Sequence, residues 1–239
     1  MMEWASAENP SRLTNNELRV FRSPLEWSSQ KLEELTGTLS AEELQRAERF
    51  VFRRDRDRFV AGRGVLRQIL QSLMGVPARE LQLSAGQFGK PHLALEFHEC
   101  PLRFNLTHSH GLALYAFSVQ REVGIDLERI VPGHEAIQDV TQYFSIAERQ
   151  RIENASGSAR TELFYRCWVM KEAYVKARGE GLQIPLSSFD LPENWADLEG
   201  EYTSLSESWT ILPFTPGLGY TAAVVAETGT TETTFWEWK

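Results

Sequence analysis

Apolar residues recur at helical spacing in two long segments of the chain, and a helix-start signal precedes each segment. Ser40 is followed three residues later by Glu43, and Ser145 by Glu148, which is the pattern of a capping box. The long segments that follow are RDRFVAGRGVLRQILQSLMG, residues 56–75, and RTELFYRCWVMKEAYVKARG, residues 160–179. The pattern predicts a short helix and then a long helix in each place.

One register relates these two helix pairs, which indicates an internal repeat. Ser40 and Ser145 are 105 residues apart, and so are Phe59 and Phe164. Stretches with strand composition lie beside the helices: LRFNL, LALYAFSV, VGIDLERI, GYTAAVVAE and TTFWEWK. We predict an α+β fold of two similar α+β halves related by a pseudo-two-fold, with the active site in the cleft between them.

The turn QRE at residues 120–122 is the natural boundary between the halves. It divides the chain into an N-terminal α+β half, residues 1–121, and a C-terminal α+β half, residues 122–239. A chain of 239 residues with 42% hydrophobic content can form a well-packed globular core.

Composition favours a cytoplasmic protein. No apolar run approaches the roughly 20 residues of a membrane span, and the N-terminus MMEWASAENP has neither the basic start nor the apolar stretch of a secretory signal. Cys100 and Cys167 are far apart and lack CxxC spacing, so we expect reduced thiols rather than a disulfide or a zinc site. We also expect a monomer with no membrane partner.

The net charge of −8 argues against a general nucleic-acid binder, but positive charge is concentrated in one segment. Eight arginines lie between Arg46 and Arg67, against only three acidic residues. Such a local basic surface suits a small polyanion or an acidic partner protein. A solvated helix face with i,i+4 ion pairs is the alternative.

The stretch VGIDLERI, residues 123–130, combines a strand pattern with two acids. Ile125 and Leu127 fall on one face, and Asp126 and Glu128 fall side by side on the other, because side chains alternate along a strand. Two neighbouring carboxylates repel each other, so this arrangement suggests a bound cation. The alternative is an exposed polar strand face.

The helix predicted over residues 160–178 carries a third acid, Glu172, among apolar neighbours. One apolar stripe of this helix, assigned to the core, consists of Leu163, Cys167, Met170, Tyr174 and Ala177. A carboxylate buried with such a helix requires a cation or an ion pair. The simplest alternative is an i,i+4 pair with Lys176. Asp126, Glu128 and Glu172 together supply hard oxygen donors, which suit magnesium.

Two further segments carry groups that could bind phosphate. The stretch FNLTHSHGLALY places five polar side chains in a predicted turn: Asn105, Thr107, His108, Ser109 and His110. The stretch QFGKPHL places Lys90 in a Gly-Lys-Pro turn. A second enzymatic hypothesis uses His108 and His110 with Asp126 and Glu128 as the site of a transition-metal hydrolase.

The chain resembles the Sfp-type 4′-phosphopantetheinyl transferases. The resemblance rests on VGIDLE, on FYRCWVMKEAYVKARGEGL some forty residues later, and on FGKP and FNLTHS upstream, and it extends from about Ser40 to Phe189. It implies two similar α+β halves and an enzyme that uses coenzyme A and magnesium. Such an enzyme moves the phosphopantetheine arm onto a serine of an apo acyl or peptidyl carrier protein and releases adenosine 3′,5′-bisphosphate. Fatty acid, polyketide or nonribosomal peptide biosynthesis is the implied setting.

The same resemblance implies roles for individual residues. The implied magnesium ligands are Asp126, Glu128 and Glu172. The implied contacts of coenzyme A are Arg53, Arg58, Lys90, Thr107, His108 and Lys176. His110 departs from the family, in which many members have glycine, so the shape of the turn there is in question.

General principles indicate how such a site would act. Magnesium and lysines would neutralise the pyrophosphate while a carboxylate takes the serine proton. Glu172 is the first candidate base, directly or through a water held by the metal, and Glu128 is the second. An inactive carrier-binding relative is the third hypothesis, which the presence of all three acids and Lys176 disfavours.

Overall fold

The structure is a computed structural model that describes residues 3–7, 13–86, 88–94, 101–133, 136–200, 203–229 and 232–239. Its helices are α1 Ser29–Thr36, α2 Ala41–Glu48, α3 Arg53–Met74, α4 Ala136–Thr141, α5 Ile146–Glu153 and α6 Gly157–Arg178. Its strands are β1 Ala5–Ser6, β2 Glu17–Pro24, β3 Leu83–Ala85, β4 Pro91–Leu93, β5 Leu102–Ser109, β6 Leu112–Val119, β7 Val123–Arg129, β8 Thr203–Ser206, β9 Trp209–Phe214, β10 Tyr220–Glu227 and β11 Glu232–Glu237.

The strands form two principal sheets and a small hairpin. The first sheet has the order β1-β11-β2-β6-β5, and the second has the order β7-β10-β9-β8. Strand β11 pairs in parallel with both β1 and β2, whereas the other pairs of the two sheets are antiparallel. Strands β5 and β7 are edge strands of the two sheets and contact each other. The two halves therefore meet at this pair of strands.

Three apolar clusters define the layers. The first sheet packs against the long helix α3 through side chains such as Phe117 and Ile69. The facing sides of the two sheets share a cluster built from strand residues, including Leu114 of β6 and Ile125 of β7. The second sheet packs its outer side against α6. The order of layers is thus helices, sheet, sheet, helix, with both acids of β7 on the side that faces α6.

The predicted repeat of two similar α+β halves is confirmed. Both capping boxes form, with Ser40 before α2 and Ser145 before α5. The long helices α3 and α6 each contain 22 residues, and each ends at a glycine with left-handed backbone, Gly75 or Gly179. Such a residue favours glycine because a side chain there is strained. The same capping and stop signals therefore produce the same helix pair twice.

Several predictions need correction or stay open. The polar side chains of FNLTHSH do not crowd a turn: β5 continues to Ser109, and the turn begins at His110, whose φ is 54°. The boundary at residues 121 and 122 stays a prediction, and strand β11 of the second half lies in the first sheet.

Cys167 is buried and free, whereas Cys100 lies outside the described residues. A search of the described helices finds none with both the length and the apolar character needed to cross a bilayer.

Candidate active site

Strand β7 and helix α6 approach each other closely at Gly124. A Cβ atom at Gly124 would lie 2.1 Å from the backbone oxygen of Ala173 and 2.2 Å from the backbone nitrogen of Ala177. These distances are far below van der Waals contact, so only glycine lets the helix backbone rest on the strand here. Asp126 and Glu128 share this face of β7 because side chains alternate along a strand, and they therefore face α6.

Helix α6 presents Trp168, Glu172 and Lys176 on one side, because residues four apart lie above one another. Trp168 acts as a side-chain hydrogen-bond donor that lowers the pKa of Glu128, against the larger effect of burial. Two turns further on, Lys176 Nζ lies 2.6 Å from Asp126 Oδ1. Glu172 is halfway between these two contacts along the helix. The structure thus brings the three predicted acids together with Lys176.

Lys176 pairs with Asp126 rather than with Glu172. Its ammonium donates hydrogen bonds to Asp126 Oδ1 at 2.6 Å and to Thr107 Oγ1 at 3.3 Å. Glu172 Oε1, by contrast, is buried and has no hydrogen-bond partner among the residues that the structure describes. The i,i+4 ion pair between Glu172 and Lys176, which the sequence left open, does not form.

Strand β5 fixes the acids from the other side. Thr107 Oγ1 donates a hydrogen bond to Asp126 Oδ1 at 3.1 Å, and Ser109 Oγ donates one to Glu128 Oε2 at 2.9 Å. Asn105 Oδ1 accepts a hydrogen bond from a backbone nitrogen of β7 at 2.9 Å. These three residues alternate along β5 and so share one face. Their hydrogen bonds hold the carboxylates of β7 in place between strand β5 and helix α6.

Burial raises the pKa of every carboxyl group in this cluster. The pKa of Asp126 rises because the group is buried, although Lys176 opposes the change. Burial, and then the charge of Asp126, raise the pKa of Glu128. Burial, and then the charges of Asp126 and Glu128, raise the pKa of Glu172. One lysine does not neutralise three carboxylates, so the cluster lacks positive charge.

The donor chemistry of this cluster suits a divalent cation. Asp126 Oδ2 and Glu172 Oε1 are buried without a hydrogen-bond partner among the described residues. Such unpaired oxygens are costly, and Mg²⁺ prefers carboxylate oxygens as ligands. Within the described parts of the chain, no three His, Cys, Asp or Glu side chains are already arranged around one ion position. The fit therefore rests on the chemistry of the donors.

A basic cavity of about 510 Å³ lies on the other face of β5. Its basic side chains are Arg46, Arg58, Arg63, His108 and His110. Burial, followed by the charges of Lys176 and Arg58, lowers the pKa of His108. The arginines make this cavity suitable for an anionic group.

The structure separates the two arginines that the sequence grouped together. Arg58 lines the basic cavity, and its guanidinium lies 2.6 Å from the carboxylate of Glu26. Arg53 is 83% exposed, is 3.5 Å from Asp57, and is not among the described residues that line the cavity. Of this pair, only Arg58 lines the cavity among the described residues.

Thr107 and His108 are adjacent in sequence, but they lie on opposite faces of β5. Thr107 contacts the acid cluster, whereas His108 lines the basic cavity. Lys176 connects the two sides, because it contacts Thr107 and its charge acts on His108. Thr107 and His108, which the sequence grouped as one pair, therefore belong to two neighbouring surfaces rather than one.

Lys90 lies beside a second cavity of about 230 Å³, which Glu172, Lys176 and Phe88 also line. The ammonium of Lys90 donates to Glu122 Oε2 at 2.8 Å and to the backbone oxygen of Ala177 at 3.2 Å. Leu106 borders both this cavity and the basic cavity. The structure therefore places Lys90 at a cavity that Glu172 and Lys176 also line, with its ammonium paired to Glu122.

Sequence reasoning missed three residues of the site, Gly124, Trp168 and Arg63, and it assigned a fourth, Ser109, to a phosphate-binding turn instead. Gly124 sets the helix approach, Trp168 and Ser109 bind Glu128, and Arg63 lines the basic cavity. Arg63 forms no hydrogen bond or ion pair within the described chain, and burial lowers its pKa. Side chains alternate along a strand, so this spacing on β5 would have placed Ser109 on the same face as Thr107. Residues four apart share one side of a helix, so this spacing on α6 would have placed Trp168 beside Glu172.

Glu148 is structural, as its capping box predicted. It caps α5 together with Ser145, and it lies 2.8 Å from the ammonium of Lys171, which is completely buried. Lys171 also donates to the backbone oxygens of Leu186 and Phe189. Lys171, the residue next to Glu172 in the sequence, is therefore held on the opposite side of α6.

Two family models match the chain in succession. Residues 25–120 match a model described as 4′-phosphopantetheinyl transferase, N-terminal. Residues 122–216 match a model described as the 4′-phosphopantetheinyl transferase superfamily. Together they cover parts of both α+β halves, including β5, β7 and α6, which form the acid cluster.

Individual relatives agree with these matches. The 4′-phosphopantetheinyl transferase HetI of a Nostoc species is 33% identical over 243 residues and covers all of both chains. A putative 4′-phosphopantetheinyl transferase of a Synechocystis species is 35% identical over 158 residues, 66% of this chain and 64% of its own. The transferase Sfp of Bacillus subtilis is 27% identical over 165 residues, 69% of this chain and 70% of its own. The chain therefore belongs to the 4′-phosphopantetheinyl transferase superfamily.

Proposed function

We propose that the protein transfers the 4′-phosphopantetheine arm of coenzyme A to a serine of an apo acyl or peptidyl carrier protein, in a magnesium-dependent reaction. Adenosine 3′,5′-bisphosphate is the other product. The observation that carries this proposal is the buried acid cluster with two unpaired oxygens, Asp126 Oδ2 and Glu172 Oε1, next to Lys176 and a basic cavity. The named relatives are 4′-phosphopantetheinyl transferases, which supports the same reaction here.

The two charged surfaces divide the binding of coenzyme A between them. Magnesium held by Asp126, Glu128 and Glu172 would supply positive charge beside the pyrophosphate. We assign to Lys176 the donation of hydrogen bonds to the pyrophosphate oxygens. We assign the 3′-phosphate to the basic cavity, where Arg58 provides charged donors.

The reaction is an in-line displacement at phosphorus. The hydroxyl oxygen of the carrier serine forms a bond to the phosphorus that bears pantetheine, and the bond from that phosphorus to the bridging oxygen breaks. The bonding electrons leave with adenosine 3′,5′-bisphosphate. Glu172 accepts the serine proton, and Glu128 is the second candidate. Burial raises the pKa of both groups, which brings their basicity closer to that of an effective general base.

A mass measurement tests the proposed reaction directly. An apo-carrier incubated with coenzyme A, Mg²⁺ and this protein should gain the mass of one phosphopantetheine arm. A carrier with its acceptor serine replaced by alanine should gain nothing, and a chelator should abolish the transfer. Absence of a mass gain across acyl and peptidyl carriers would contradict the proposal.

The hydrolase hypothesis has no support in the structure. His108 lies across β5 from the face that contacts Asp126. Together with His110 it lines a cavity rich in arginine, which suits an anion better than a metal ion. We also propose that the protein is cytoplasmic and monomeric.

A further inference from the structure

His110 has a backbone conformation that favours glycine. It is the first residue of the short loop that joins β5 to β6, and its φ is 54°. Pairing of Ser109 with Leu112 closes this loop. The backbone oxygen of Gly111 accepts a hydrogen bond from the backbone nitrogen of Leu25 at 2.9 Å, which holds the loop from outside. A residue with a side chain is strained in this conformation and glycine is not, so the histidine is a candidate for a role in the site.

The imidazole of His110 contacts Ser109, and Ser109 contacts Glu128. His110 Nδ1 lies 3.3 Å from Ser109 Oγ. The same hydroxyl oxygen lies 2.9 Å from Glu128 Oε2, and it accepts a hydrogen bond from the backbone nitrogen of Arg129 at 3.1 Å. A serine hydroxyl can donate one hydrogen bond and accept two. These three contacts therefore use the whole hydrogen-bonding capacity of Ser109.

The carboxylate of Glu128 decides the direction of these hydrogen bonds. Ser109 donates its proton to Glu128, because a carboxylate is a stronger acceptor than an imidazole nitrogen and the contact is shorter. His110 then donates its Nδ1 proton to Ser109 Oγ, since that oxygen has no second proton to give. Hydrogen bonds in such a chain polarise one another, so the imidazole strengthens the bond from Ser109 to Glu128.

We propose that His110 is a positioning residue: its imidazole holds the Ser109 hydroxyl toward Glu128 and so orients a carboxylate that we assign to magnesium. This inference rests on the proposed function. It also gives a reason for the strained backbone of the loop, because glycine would relieve the strain but would deprive Ser109 of one donor. His110 lines the basic cavity as well, so the loop borders both charged surfaces.

Three substitutions separate the side chain of His110 from its backbone. His110→Gly relieves the strain and removes the imidazole. His110→Asn tolerates the left-handed backbone, and its amide nitrogen, which is as many bonds from Cα as Nδ1, can donate to Ser109 Oγ. Gln120→Gly is the matched control. Gln120 is the other non-glycine residue of the described ranges with a positive φ, 63°, and it follows the opposite end of β6.

The affinity for Mg²⁺ is measured by calorimetry with coenzyme A at saturation. His110→Gly should bind Mg²⁺ about three- to tenfold more weakly than wild type, less than the roughly 10- to 100-fold typical of direct partners of metal ligands, because Ser109 stands between. His110→Asn should stay within about twofold because it keeps the donor, and Gln120→Gly because it is remote. The thermal midpoint without metal should hold or rise in both glycine variants, which shows that they fold.

Wild-type Mg²⁺ affinity in His110→Gly would overturn the inference, and so would an equal loss in His110→Asn or in Gln120→Gly. These outcomes leave the proposed function intact, provided that wild type modifies a carrier protein in the mass assay. The proposed function fails separately, when wild type gives no mass gain with any carrier. The inference on His110 fails with it only when wild type also binds no Mg²⁺.

Discussion

The acid cluster and the basic cavity lie on opposite faces of β5, and they differ in how their charges are satisfied within the protein. Asp126 and Glu172 are buried carboxylates with raised pKa values, and each has an unpaired oxygen among the described residues. Arg58 has an internal partner in Glu26, although its Nε atom is also buried without a hydrogen-bond partner among the described residues. The acid cluster has an excess of negative charge, which suits a cation, whereas the basic cavity has an excess of positive charge, which suits an anion. Removing a charge should therefore affect turnover in the first region and affinity in the second.

The largest effect is expected from Asp126→Asn. This change keeps the size of the side chain and removes a charge that the reaction requires, so turnover should fall by at least ~100-fold. Magnesium-dependent binding of coenzyme A, measured by calorimetry, should be lost as well. Near-normal turnover at saturating Mg²⁺ would show that Asp126 holds no metal, and the contrast between the two regions would then disappear.

Glu172→Gln should separate activity from stability. Turnover should drop by a factor approaching that of Asp126→Asn, because the change removes either a metal ligand or the base. The thermal midpoint without metal should hold or rise, since the substitution relieves repulsion among buried carboxylates. Turnover and midpoint are measured on one preparation. Full activity would leave Glu172 as a buried acid without a role in the reaction.

Arg58→Ala should act on affinity. We expect about a 10- to 100-fold weaker binding of coenzyme A, the scale of one or more charge-assisted hydrogen bonds, and little change for dephospho-coenzyme A. Arg53→Ala is the matched control, because Arg53 is 83% exposed and outside the cavity lining among the described residues. It should stay within about twofold for both compounds. An equal loss of both compounds in Arg58→Ala would place the 3′-phosphate elsewhere.

The smallest effect concerns pH. When folding raises the pKa of a carboxyl group, the group stabilises the fold fully at pH values below its pKa in the unfolded state. This contribution is lost as the pH rises through its pKa in the folded state. Burial and the neighbouring acids raise the pKa of Glu172. In a chelating buffer, Glu172→Gln should therefore exceed wild type in thermal midpoint at pH 7 to 8, and the difference should shrink toward pH 5. A difference that is constant with pH would contradict the raised pKa.

Local signals in the sequence were sufficient to predict the two helix pairs, α2 with α3 and α5 with α6, and to single out the acids, whereas α1 and α4 were not predicted. Ser40 and Ser145 start short helices because each capping box satisfies backbone groups within four residues. Asp126, Glu128 and Glu172 were predicted from the period of a strand and from the apolar surroundings of one helix position. In each case the physical cause is near in sequence, so no knowledge of the tertiary arrangement was required.

Features that depend on distant contacts could not be predicted. The sequence does not show that Thr107 faces Asp126 while His108 faces Arg58, because this depends on which sheet covers each side of β5. The partner of Lys176 is likewise decided by the close approach at Gly124, which allows a strand residue to compete with Glu172. Arg53 and Arg58 differ because one lies at the exposed start of α3 and the other one turn further in.

Strand β11 has a consequence for the order in which the protein can fold. It pairs with β2 and β1 in the first sheet, so that Glu232 lies beside Glu17. A ribosome releases the chain from its N-terminus, so β2 is made long before β11, its neighbour on one side. Until then one edge of the first sheet is unpaired, and the layer that carries β5 is incomplete. The first sheet is thus completed only after every strand of the second sheet has been made, and loss of β11 would damage the half that was made first.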